Sequence, residues 1–267
     1  MVPIQGVFQF SLQLFPPARN GRRRMPESDQ HTTTHRSAQG SRFDQTSLTL
    51  LRQVQAGDGQ ALEELCSRYW YPLYTWLLAS RTASNHDTAQ DYVQGFFEKM
   101  LGQGRLVAHQ PERGQFRSYL LTCLKNYVID LIRKRRLAIV EPPPDEPDWL
   151  GNFAAQEVAD AAFQKAWAWD VVEAAKGRLR HEWQRAGQVE FFDAIAPYLE
   201  GSRSEEGLEA IAEKFGLSHG NVRQRIHRLR EPLEEIITTL VLADLPDDAS
   251  PKERADEMKA FMEALVL

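Results

Sequence analysis

From Ser47 onward the apolar residues of this chain recur at spacings of three and four, and they rarely alternate. A 3.6-residue period lines such residues along one helix face, whereas a strand needs a period of two. This feature predicts an all-α protein. Leu48, Leu51 and Val54 make a first short stripe that Gly57 ends. Asp58 is placed to cap a helix bearing Leu62, Leu65, Cys66 and Tyr69, with Pro72 expected to kink or restart it. Ser84 or Asn85 opens the next helix, striped by Ala89, Val93, Phe96, Phe97 and Met100. A long helix is expected from about Phe116 to Arg136, buried through Leu120, Leu124, Val128 and Leu131.

The pattern changes at Leu137. Residues 141–160 hold six acids (Glu141, Asp145, Glu146, Asp148, Glu157, Asp160), four prolines and no Lys or Arg. Such a run repels itself and cannot continue a helix, so residues 137–160 read as a linker. Helical patterning then returns, and Trp167, Trp169, Val171, Phe191, Phe192, Ile195 and Leu199 offer a second core. The expected organisation is a disordered extension over 1–42, a helical domain over 43–136, the linker, a second helical domain over 161–241, and an acidic tail with a helix over 242–267. In the extension the apolar stretch precedes the arginines, the reverse of a signal peptide. Met25 heads its polar part and is an alternative start of translation. No run reaches the roughly 20 apolar residues that span a bilayer. Cys66 and Cys123 fall in apolar stripes and read as small core residues, which suits a reducing cytoplasm.

The net charge of −5 hides an uneven distribution. Residues 105–136 carry eight Lys or Arg (Arg105, Arg113, Arg117, Lys125, Arg133, Lys134, Arg135, Arg136) against two acids, Glu112 and Asp130. Cations at a helix C-terminus complement its dipole, but four in a row exceed what capping needs and point to phosphate binding. Tyr119, Thr122, Asn126 and Asp130 share one polar stripe of that helix. An aromatic and an amide beside a basic patch suit single-stranded nucleic acid, although a plain solvated face has the same composition. The preceding helix turns outward Asp87, Gln90, Asp91, Gln94 and Glu98. That face repels DNA and suits a basic or polar protein surface.

Residues 207–231 read GLEAIAEKFGLSHGNVRQRIHRLRE. Leu208, Ile211, Ala212 and Phe215 form one apolar face, Gly216 breaks it, and Ser218 can cap a second helix buried through Val222, Ile226, Leu229 and Leu233. This is a helix-turn-helix pattern. Asn221, Arg223, Gln224, Arg225, His227 and Arg228 belong to the second helix, and residues 219–230 contain four arginines and no acid. One helix fits a major groove, where Arg and Gln read base edges and other arginines hold phosphates. A solvated basic face is the alternative. No phosphate loop, metal-ligand cluster or nucleophile elbow is present, so neither catalysis nor a cofactor or metal is expected; the adjacent His181 and Glu182 make no site.

These segments, taken in order, resemble the extracytoplasmic-function type of sigma factor in the sigma-70 superfamily. LLRQVQAGDGQALEELCSRYWYPLYTWL is similar to the family's first conserved region, and HDTAQDYVQGFFEKML to its polymerase-binding helix. PERGQFRSYLLTCLKNYVIDLIRKRR resembles the promoter-melting and −10 segment, and LEAIAEKFGLSHGNVRQRIHRLREPLEEI the −35-binding region. The resemblance covers about 47–136 and 190–237. It implies a region 2-like bundle and a region 4-like helix-turn-helix domain in a non-enzymatic transcription initiation factor. Core RNA polymerase, through its β′ clamp and β flap, and promoter DNA would be the partners, with room for an anti-sigma factor or other regulator. Asp91 and Gln94, flanked by Asp87 and Glu98, match clamp-binding positions. Asn126 matches a position lining a pocket for a flipped base, beside a loop from His109 to Gln115. Arg117, Tyr119, Arg133, Lys134, Arg135 and Arg136 would serve the same strand. Ser218, Asn221, Arg223, Gln224, Arg225, His227 and Arg228 would face the −35 element. The acidic linker would thread through the polymerase. The chain departs from the family at Gly95, where an acid is usual, and in the GSRSEEG insertion. The tail, with Met258, Phe261, Met262 and Leu265, has two readings, a cover for the DNA-binding face or a dock for a regulator. The alternative for the whole chain is a stand-alone helix-turn-helix regulator.

Overall fold

A computed structural model describes residues 47–106, 115–138, 153–199, 204–246 and 248–266. The expected extension, the loop over 109–114 and the linker between 139 and 152 lie outside these. The described residues form helices and no strand. In chain order they are α1 (Ser47–Gln55), α2 (Gly59–Ala79), α3 (His86–Gly102), α4 (Phe116–Ala138), α5 (Phe153–Arg185), α6 (Val189–Leu199), α7 (Glu205–Lys214), α8 (His219–Leu242) and α9 (Pro251–Val266).

The helix starts follow local chemistry. The Asp58 carboxylate accepts from the N–H groups of Gln60 and Ala61, and Asn85 caps α3 by accepting from Thr88 N–H at 2.8 Å. Pro72 does not restart α2: one helix runs to Ala79, with Pro72 buried as Leu73, Trp76 and Leu77 are. Tertiary packing overrides the local break.

Among the described residues, two apolar clusters hold the fold. The first packs α1–α4, with Trp70 stacked on Phe97 and Tyr69 edge-on to Phe116. The second packs α6–α8, with Trp183 stacked on Phe191 and Phe191 edge-on to Phe215. Helix α5 joins both. Its 33 residues extend roughly 50 Å at 1.5 Å per residue. Ala159, Phe163, Trp167, Ala168 and Val172 lie in the first cluster; Ala174, Ala175 and Leu179 lie in the second.

Two sequence expectations change here. Residues 153–160 belong to a helix and not to a linker, because their acid finds partners: Asp160 accepts from Trp76 Nε1 at 2.8 Å and from Lys125 Nζ at 2.6 Å. Trp167 serves the first core, and Trp169, expected in the second, is exposed. The tail, which the sequence left with two readings, packs against the first core. Asp244, Phe261 and Ala264 are buried, and Phe261 sits edge-on to Trp167 with ring centroids 5.8 Å apart.

Candidate functional site

Helix α3 has two distinct sides. Ala89, Val93, Phe96, Phe97 and Met100 are buried, which turns the stripe at 87, 91, 94 and 98 outward. Asp87, Asp91 and Glu98 are exposed and Gln94 is half-buried. Gln94 Nε2 donates to Glu98 Oε1 at 3.1 Å, which fixes the amide along the stripe. Gly95 has a packing reason: a Cβ there would lie 2.6 Å from the Tyr127 hydroxyl. The glycine lets the α4 tyrosine close against α3, where its ring meets Phe96 edge-on.

Helix α4 carries the first basic face. Arg133 and Lys134 are exposed in its last turns; the side chains of Arg135 and Arg136 lie outside the described residues. Asn126 is exposed and lines a small pocket with Arg105, Cys123 and Tyr127. The rest of the expected stripe is occupied within the fold. Tyr119 donates its hydroxyl to the Arg105 carbonyl at 3.0 Å, and burial pushes its phenol up to about 12, so it stays a neutral donor. Thr122 Oγ1 donates to the Ser118 carbonyl at 2.9 Å. Lys99 Nζ lies 2.8 Å from Asp130, and that hydrogen bond, with the lysine's charge, holds the carboxyl below its usual range.

Arg117 stands apart from the other basic residues expected at this face. It is buried, ion-paired to Glu257 of α9, and its guanidinium carbon lies 4.0 Å from the Trp167 ring centroid. It is not presented to solvent in this arrangement.

The second basic face is α8. The Ser204 side chain caps α7 through Gly207 N–H, and α7 ends at a turn where Gly216 adopts φ +63°, a region that glycine enters without strain. Ser218 then accepts from Asn221 N–H at 3.2 Å to start α8, as the sequence indicates. Val222, Ile226, Leu229 and Leu233 are buried, so Asn221, Arg223, Gln224, His227 and Arg228 are exposed on the other side. Arg225 is half-buried with its guanidinium carbon 5.1 Å from the Phe191 ring centroid, a packing position. Arg223 is ion-paired with Glu205 of α7, both half exposed. Such a surface pair contributes little to stability.

Both cysteines are buried, and burial is the first cause that raises each thiol, Cys66 to about 12. Such thiols are poor nucleophiles. Among the described residues, no three of His, Cys, Asp and Glu converge to hold a metal. No described helix is long and apolar enough to cross a membrane.

The buried acids escaped sequence reasoning. Glu257 shares the face of Phe261 and Ala264, at the spacing of an apolar position. An acid standing in an apolar stripe was the available signal that it has a partner.

Among the described residues, which are helical, α3 turns acids outward while α4 and α8 turn cations outward. Residues 67–138, spanning most of α2 and all of α3 and α4, match the family model for Sigma-70 region 2. This segment supports a sigma-70 family sigma factor acting in transcription initiation, and a Sigma-70 region 2 implies core RNA polymerase and promoter DNA as partners. No curated protein and no solved structure matches the chain.

Proposed function

We propose that the chain is an extracytoplasmic-function type of sigma factor that directs core polymerase to promoters by reading a −10 and a −35 element and by helping to open the duplex. The observation that carries this reading is the separation of charge: the stripe of α3 faces solvent with its acids, while Arg133, Lys134 and the outer side of α8 face solvent with their cations. Asp91 and Gln94, flanked by Asp87 and Glu98, dock the β′ clamp. Asn126, in its pocket with Lys99 and Arg105, takes an unpaired base of the −10 strand. Arg223, Gln224, His227 and Arg228 enter the major groove at the −35 element, and Ser218 and Asn221 place the helix N-terminus near phosphate. The half beyond residue 138 lies outside the family match, and its role rests on the helix-turn-helix geometry. Trapping an unpaired base favours the open state by mass action, with no bond made or broken by the protein.

The test is transcription by core polymerase from native promoters of the source genome, with and without the protein. Stimulation of specific starts supports the reading. Duplex binding without any stimulation would instead mark a stand-alone regulator.

A further inference from the structure

Among the described cations of residues 105–136, Arg105, Arg133 and Lys134 are exposed, Lys125 is half-buried, and Arg117 alone is buried. Its guanidinium lies on the Trp167 ring and pairs with Glu257, and Gln115 donates to the same carboxylate. The three side chains make an anion seat: a fork of N–H donors, an amide N–H₂ and an aromatic floor. Oxygen acceptors with negative charge suit it, and a carboxylate and a phosphate share that chemistry.

We propose that Gln115, Arg117 and Trp167 form a seat for a nucleic-acid phosphate, and that Glu257 of α9 occupies it as an internal surrogate, so that the C-terminal helix gates the seat. The inference rests on α4 as a nucleic-acid face, and it adds a ligand contact and its control.

The grip of α9 is narrow. Of its 16 residues only Glu257, Phe261 and Ala264 are buried, with Met258 and Leu265 half-buried. The other fixed point is Asp244, which accepts from Tyr69 at 3.3 Å just after α8 ends. Between them runs the short segment 245–250, holding a proline and two acids, Pro246, Asp247 and Asp248. A buried charge pair specifies register but adds little net stability, and it becomes unfavourable once either partner is lost. An incoming phosphate that replaces the carboxylate keeps Arg117 neutralised and leaves α9 held by one aromatic ring and its flanking contacts.

The experiment measures binding of the full chain to a fluorescent single-stranded oligonucleotide across a salt series, with amide hydrogen exchange over 251–266 as the readout of docking. Glu257→Gln leaves the buried guanidinium without a counter-charge, and Phe261→Ala removes the apolar anchor. Both are expected to speed exchange in α9. Both are also expected to add one phosphate contact, steepening the salt slope by about 0.7 and tightening binding roughly fivefold at 0.1 M salt. Arg117→Ala is expected to release α9 with no gain in affinity, and to abolish the gain when combined with Glu257→Gln. The gate is overturned if Glu257→Gln frees α9 without tighter binding, if α9 stays protected in both variants, or if both variants unfold the chain. Arg133→Ala with Lys134→Ala separates the two readings. Binding that ignores this pair overturns the nucleic-acid role of α4, and the gate with it. Binding that needs the pair but gains nothing from Glu257→Gln overturns the gate alone.

Discussion

Gly95 and Tyr127 are one packing unit split between two helices. A helix-interior glycine costs about 1 kcal/mol relative to alanine. Here the cost is offset by contact, since the Tyr127 hydroxyl fills the space of the missing Cβ. Gly95→Ala is therefore expected to gain nothing in wild type. In a Tyr127→Phe background the same change is expected to stabilise by about 1 kcal/mol. Urea unfolding of the four chains of this cycle reads the coupling directly. Asp130 supplies a pH test. Its folded carboxyl is held below the ordinary value by Lys99, so its contribution is present above the ordinary carboxylate range and is lost as pH falls through the folded value. Lys99→Ala is expected to move the Asp130 titration upward, as followed by the carboxyl carbon shift in NMR.

Helix α5 shows which parts of the fold a sequence displays and which it hides. The stripes of α3 and α8 were legible because their buried residues recur on one face and their polar residues on the other. So were the caps at Asp58, Asn85 and Ser218, because a side-chain acceptor before an apolar run has a local meaning. The start of α5 was hidden. Glu157 and Asp160 continue a run of acids that looks self-repelling, and only the folded chain brings Trp76 and Lys125 to Asp160. Of the kink or restart expected at Pro72, the restart does not occur, since packing carries the helix through. The candidate site divided likewise. Exposure of Asp91, Arg133 and Arg228 follows from helix phase, but burial of Arg117 depends on a residue 140 positions away. Asp160→Ala is expected to destabilise the chain by about 2 kcal/mol, since it removes the acceptor of an indole N–H and of a lysine. Urea titration followed by tryptophan fluorescence checks this.

At the scale of the whole molecule, the two clusters are not independent beads on an acidic string. They share α5, and the chain returns from the second to the first through the end of α8 and α9. The groups proposed to meet duplex DNA on α8 and single-stranded DNA on α4 thus sit in one connected body, while α3 offers its acids elsewhere. Arg228→Ala, on the exposed side of α8, is expected to weaken duplex binding and to lower the salt slope by about 0.9 if the side chain neutralises one phosphate. The fold is expected to be unaffected, because the buried side of α8 is untouched.

The most direct measurement is capture of the purified β′ subunit by the tagged chain, comparing wild type with the Asp91→Ala, Gln94→Ala double variant at matched helicity. The account predicts that wild type retains β′ and the double variant does not. Equal retention by both, or none by either, would contradict it.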